Sequence, residues 1–346
     1  MLARHGFAVH WSRLVFLALG SILSLFNSAL APLQRAVVLV RRREARDPVF
    51  VLGHWRSGTT LLHELLALDP QFGFPSSYAC FAPGHFLVTE RVLGPLVRIL
   101  SPRRRPQDEM PWSVERPQED EFALLARGTP SPYSIFFFSR TDSPDLAYLD
   151  FDGVPAAGVE RWCNAHRRFL RALACRDPRP AVLKSPPHTA RLGVLARIYP
   201  RARFVHIVRD PRAVIPSTRN MIGALAQCFG LQPPDHKRIR TLAFALHGRL
   251  HRALERALPA VGRDRFYELR YEDLVADPLL EMRRLYAELD FGPFERVEAI
   301  MTRHLAGTKN YAPARRELAD AERAEIEAQC APMMRRYGYL PAAPPS

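Results

Sequence analysis

Val49-Phe50-Val51-Leu52, four apolar β-formers in unbroken succession between Pro48 and Gly53, can be buried only if both faces of the strand are covered. A strand with one wet face alternates apolar and polar side chains, and this one does not, so it belongs inside a parallel sheet with helices on either side. The signature returns at Ala181-Val182-Leu183, at Phe204–Val208 and at Phe266–Leu269. Between these runs lie helical patterns. Leu61, Leu62, Leu65, Leu66 and Leu68 share an apolar side before a stop at Asp69-Pro70, and further helices are expected over 119–126, 159–174, 188–198, 211–226 and 235–258. Residues 101–118, rich in Pro, Arg and acids, are expected to form a loop, and the C-terminal third is expected to be helical. Strands alternating with helices predict an α/β chain, a central parallel sheet flanked by helices.

The first strand runs into Gly53-His54-Trp55-Arg56-Ser57-Gly58-Thr59-Thr60 and then a helix. Strand, G-x-x-x-x-G, helix is the geometry of a phosphate loop: amide N–H groups converge, and the helix N-terminus adds about half a positive charge. The spacing is that of a nucleoside-triphosphate loop, but such a loop next requires Lys, where this chain has Thr59. Without that Lys, ATP or GTP hydrolysis lacks its charge clamp. Arg56 supplies a cation from inside the loop, with the Ser57, Thr59 and Thr60 hydroxyls and the amide of Gly58 around the anion.

Two further sites carry cations. Arg209 stands where Phe204–Val208 ends, at the edge of a parallel sheet where ligands bind, and Ser217 lies about two turns along the next helix. A guanidinium and a hydroxyl so spaced can hold one phosphate from two sides. Lys appears only at 184, 237 and 309 among 49 Lys+Arg. Lys184, at the end of the strand Ala181–Leu183, therefore reads as a position where a compact ammonium is preferred to a guanidinium.

Arg56-Ser57-Gly58-Thr59-Thr60 after a strand resembles the 5′-phosphosulfate loop of the sulfotransferase family. The longer string from Gly53 to Leu66 is similar to the bacterial-type enzymes rather than the cytosolic phenol and steroid ones, which have Lys at Arg56 and Trp at Leu61. The resemblance implies a three-layer, P-loop-NTPase-like fold and 3′-phosphoadenosine 5′-phosphosulfate (PAPS) as sulfuryl donor, with no metal required. It implies that Arg209 and Ser217 hold the 3′-phosphate. Tyr271, in Tyr271-Glu272-Asp273-Leu274, would lie near the adenine, and Lys184 would steady the leaving oxygen. Gly307-Thr308-Lys309-Asn310-Tyr311 falls where relatives close a loop over the donor, with Lys309 reaching the 3′-phosphate. The general base stays open between Glu119, in an acidic run Glu119-Asp120-Glu121 similar to one in the bacterial-type enzymes, and His188, four residues after Lys184.

Residues 14–34 carry no charge, yet Ser21, Ser24, Asn27, Ser28 and Pro32 make them marginal for a span of about 20 apolar residues. They read as a membrane-associated helix or as one that packs on the domain. This divides the chain into an N-terminal segment, 1–46, a PAPS-dependent domain, 47–340, and a Pro-rich tail, 341–346. Five widely spaced cysteines without C-x-x-C fit a reducing compartment, so a cytoplasmic location is expected, attached or not to the membrane's inner face. The net charge of +14 fits any polyanionic partner. The motifs select a nucleotide donor and a small-molecule or lipid-like acceptor, with no nucleic acid. Two rivals remain: a P-loop kinase or other nucleotide transferase, and an inactive, membrane-associated binding protein.

Overall fold

A computed structural model of the chain describes residues 1–101, 113–140, 143–308 and 318–341. A long helix, α1 (Leu14–Arg41), precedes strand β1 (Val49–Leu52), which leads into α2 (Thr59–Ala67). Short α3 (Ser77–Phe81), α4 (Phe86–Leu100), α5 (Asp120–Ala126) and α6 (Ala156–Arg176) follow before β2 (Val182–Lys184). Then come α7 (Pro187–Ala190), α8 (Leu192–Ile198), β3 (Arg203–Val208), α9 (Pro211–Phe229), α10 (His236–Ala257) and β4 (Phe266–Arg270). The chain closes with α11 (Tyr271–Ala276), α12 (Pro278–Glu288), α13 (Glu295–Thr308) and α14 (Asp320–Arg336).

The four strands pair in parallel in the order β2-β1-β3-β4. Successive β1 side chains enter opposite cores, which is why the run had to be apolar throughout. Phe50 and Leu52 pack with Trp162, Leu183 and Phe204, whereas Val49 and Val51 pack with Leu62, Leu65 and Leu285. Each is at most 3% exposed and contributes about 1.5–3 kcal/mol of burial.

One local expectation needs correction. The helix expected over 188–198 is two helices broken at Arg191, whose backbone turns (φ −99°, ψ 8°) while its guanidinium sinks onto Glu121 and the Tyr148 carbonyl. Residues Phe86–Leu100, assigned no element from sequence, form the fifteen-residue helix α4. Of the expected loop, 113–118 is non-helical and Pro117 bridges Ser76, while 102–112 lie outside the described residues. Lys309, Asn310, Tyr311 and the tail beyond Pro341 also lie outside them.

Helix α1 lies along the body instead of leaving it. Asn27 donates to the Phe81 carbonyl (3.1 Å) and accepts from Gly84 N (3.0 Å); Gln34, buried, donates to the Pro83 carbonyl (2.8 Å) and accepts from Leu87 N (3.0 Å). Residues before it dock too, through Arg4 on Asp145 (2.7 Å) and His5 stacked on Phe138.

Candidate active site

Parallel pairing brings the C-terminal ends of all four strands to one edge, and each end delivers one element of the site. Val51 pairs with Lys184, Leu52 with His206 and Val208 with Arg270. Across that edge therefore stand Lys184, the 53–60 loop, Arg209 and, starting α11, Tyr271.

The loop is held from beneath. Gly53 donates its N–H to Thr189 Oγ1 (2.7 Å), and the same hydroxyl donates to the Gly53 carbonyl (3.1 Å). Ser57 Oγ donates to the His54 carbonyl (2.8 Å), while His54 and Trp55 are buried. A Cβ at Gly53 (φ +149°) would meet the Ile207 carbonyl at 2.7 Å, and one at Gly58 (φ +101°) would meet the Tyr271 ring at 2.3 Å. Arg56 itself is left-handed (φ +68°), a strained backbone for a long side chain. Two glycine-only positions and a strained residue within six residues make a tight turn at a helix N-terminus, the backbone form of an anion cradle. Thr59 is buried in the first turn of α2 and Thr60 is half-buried there.

Around this cradle the chain gathers four residues singled out from sequence. Arg209 donates to the Arg56 carbonyl (3.1 Å) and lies 4.1 Å over the Tyr271 ring. Arg56 Nε donates to Ser217 Oγ (3.0 Å). Arg56, Ser217, Arg209 and Tyr271 thus form one connected group, with the Arg56 side chain directed to Ser217.

On the other side of the loop, Lys184 Nζ lies 2.5 Å from Glu119 Oε1, and the Tyr133 hydroxyl donates to Glu119 Oε2. Burial, with the charge of Glu119, pushes the Tyr133 phenol well above its ordinary value, so it remains a donor. Glu119 is the N-cap of α5, but its carboxylate makes no cap hydrogen bond. Its carboxylate is instead held by Lys184 and Tyr133.

The next two acids go elsewhere. Asp120 Oδ2 accepts from His188 Nε2 (2.8 Å) and His166 Nε2 (3.1 Å), and Oδ1 accepts from Ser185 Oγ (2.9 Å). Burial opposes its charge, yet His188 and then His166 hold its carboxyl well below the usual carboxylate range. Glu121 pairs with Arg191 at 2.5 and 3.1 Å, both fully buried. His188 is 0% exposed and its Nε2 is engaged by Asp120. Asp120, His166 and His188 have the composition of a metal site. Their spacing is that of a carboxylate between two imidazole donors, a closed hydrogen-bonded triad.

Nothing in the linear pattern points to Tyr133 on Glu119, Thr189 on Gly53, or the Asp120–His166 contact. Tyr133 stands in an aromatic run, most of which is core, and only its hydroxyl reaches the site.

Residues 48–295 match a family described as the sulfotransferase family. The omega-hydroxy-beta-dihydromenaquinone-9 sulfotransferase Stf3 of Mycobacterium bovis is 39% identical over 342 residues, covering 98% of this chain and 88% of that protein. Carbohydrate sulfotransferase 6 of Homo sapiens is 26% identical over 350 residues, covering 86% and 82%. Among solved structures, sulfotransferase STF9 from Mycobacterium avium shares the fold with a TM-score of 0.65 at 23% identity, covering 86% of this chain and 78% of that one.

Proposed function

The chain belongs to the sulfotransferase family and is an enzyme of sulfuryl transfer; from that premise we propose that it takes the sulfuryl group from PAPS and passes it to the hydroxyl of a lipid-like acceptor. The observation that carries this reading is the Lys184–Glu119 pair, 2.5 Å apart, on the strand next to the anion cradle. An acid and a cation in contact, one step along the sheet edge from a phosphate loop, suit a reaction that removes a proton and steadies a leaving oxygen.

In this reading Glu119 takes the proton as the acceptor oxygen bonds to sulfur, and Lys184 holds the phosphate oxygen released when the sulfur–oxygen bond breaks. Tyr133 fixes the rotamer of Glu119, and His188 acts through Asp120 as a positioning residue. The cradle amides with Ser57, Gly58, Thr59 and Thr60 hold the 5′ end. Arg209 and Ser217 hold the 3′-phosphate, with Arg56 bridging the two groups and Tyr271 against the base. The lipid-like acceptor is supported by the 39% identical relative, which is named for a hydroxylated menaquinone, and by the exposed apolar helix α1. That helix puts residues 14–34 at a membrane surface, on the cytoplasmic side that the widely spaced, unpaired cysteines favour.

Calorimetry and turnover test it. The protein should bind 3′,5′-bisphosphoadenosine without metal more tightly than ATP with magnesium. Labelled sulfate should pass to a long-chain isoprenoid alcohol, and Glu119→Gln should slow transfer by about 10²–10⁴-fold while leaving donor binding intact. Preference for ATP would overturn the donor assignment.

A further inference from the structure

Helix α1 is uncharged from Leu14 to Gln34, and most of its large apolar side chains face away from the body: Leu19, Ile22 and Leu23 are 57–66% exposed. Alone, it is long and apolar enough to cross a membrane by length and composition. It does not stand alone. Helix α4, alongside, sends Phe86, Leu93 and Val97 into the core, yet leaves Val92, Leu96 and Ile99 at 74%, 53% and 79% exposure. A helix apolar on both sides, with one side bare, is out of place in water.

The way α1 is held decides its orientation. Over its 28 residues, about 42 Å of helix, it is tied to the body at both ends and in the middle. Arg13 donates to the Gln227 carbonyl (3.0 Å), Asn27 and Gln34 bond to residues 81–87, and Arg41 donates to the Cys175 carbonyl (2.6 Å). A crossing helix would have to draw this whole flank, with the partly exposed Arg176–Glu90 ion pair, through the hydrocarbon. The charges lie at the rim. Exposed Arg42, Arg43 and Arg46 follow α1, and Arg35, Arg127 and Arg168 sit within one another's fields. Such a rim complements anionic headgroups.

From this face an aromatic line runs inward. Phe81, half exposed beside Asn27, is 5.5 Å from Phe122; Phe122 is 5.0 Å from Tyr133; and Tyr133 donates to Glu119. We propose that α1 and α4 form a single platform that lies in the plane of an anionic phospholipid membrane, and that a lipid alcohol passes from it along Phe81, Phe122 and Tyr133 to Glu119. The delivery step rests on Glu119 being the base; the platform does not.

The test uses the full chain with vesicles of phosphatidylcholine, with and without phosphatidylglycerol. Binding should need phosphatidylglycerol and weaken with salt. The double variant Val92→Glu/Ile99→Glu, with α1 intact, should bind about tenfold more weakly or worse while turning over a short soluble alcohol at the wild-type rate. In a Cys228→Ser background, nitroxides at Val15→Cys, Ile22→Cys and Leu39→Cys should report one shallow depth. Unchanged vesicle binding by the double variant, or depths graded through the bilayer, would overturn the platform. So would a stable dimer in solution that buries α4 and does not bind vesicles. Short-alcohol turnover retained by Glu119→Gln would overturn the assignment of Glu119 and with it delivery, while vesicle binding still judged the platform. Phe81→Ala, at the exposed end and away from Tyr133, should raise KM for the membrane-borne alcohol and leave the short one unchanged; equal effects on both would overturn the route.

Discussion

Lys184 and Glu119, 65 positions apart in sequence, meet at 2.5 Å where β2 ends against the start of α5. Each removes the other's need for solvent, with Lys184 side chain 4% and Glu119 15% exposed. Glu119→Gln is expected to lower kcat about 10²–10⁴-fold. Lys184→Ala should lower it about 10²–10³-fold. Because the two act on one transition state, the double variant should fall short of the product of the single losses. Single-turnover rates with donor affinity measured in parallel check this; additive losses would mean independent roles.

Arg209 and Ser217 are expected to read the 3′-phosphate. Wild type should prefer 3′,5′-bisphosphoadenosine to 5′-adenosine monophosphate, and Arg209→Ala should erase about 10- to 100-fold of that preference, the worth of a charge-assisted hydrogen bond. Titration calorimetry with both nucleotides tests it, and an equal loss for both would reassign Arg209.

Gly58→Ala places a methyl 2.3 Å from the Tyr271 ring at a φ of +101°. Loss of about 1–3 kcal/mol in denaturant unfolding and a tenfold or larger drop in donor affinity are expected. Tyr271→Ala in the same chain should recover part of the stability but not the affinity.

Glu121→Ala leaves Arg191 charged, fully buried and stacked on Trp162. It should cost about 3–5 kcal/mol, read in urea, whereas Glu121→Ala/Arg191→Met should recover much of it. Failure of the double variant to recover would point to a role beyond pairing.

Acid should unfold this protein earlier than its carboxylates require. Burial holds His54 down at about 4 and His63 at about 3, and drives His247 and His251 well below their ordinary value. Unfolded, all four take up protons near pH 6.5. Stability should therefore be flat above about pH 7 and decline below 6.5, by about 1.4 kcal/mol per pH unit for each group involved. Urea midpoints from pH 8 to 4.5 give the proton count, and fewer than about one proton would refute the burial argument.

The sheet was legible because its central strand must be apolar on both faces, and Val49–Leu52 announces that without reference to any other residue. The loop and the Arg209–Ser217 spacing were legible because each is local. Helix α4 was not: it carries an apolar stripe at helical spacing, but Gly94 and Pro95 inside it read as breakers and masked the period. Sequence singled out Glu119 from the acidic run but not the partners of Asp120 and Glu121, since those partners lie on α6 and at α7–α8, far along the chain. The break at Arg191 follows from a partner 70 positions away.

Those three consecutive carboxylates behave as a kinematic mount. Asp120 is stopped against two imidazoles and a hydroxyl, and Glu121 against a guanidinium, from different directions. The peptide unit carrying Glu119 keeps almost no rigid-body freedom. An acceptor pressing on Glu119 would therefore move the carboxylate only by side-chain rotation, and a one-residue insertion or deletion at that point would misalign all three at once.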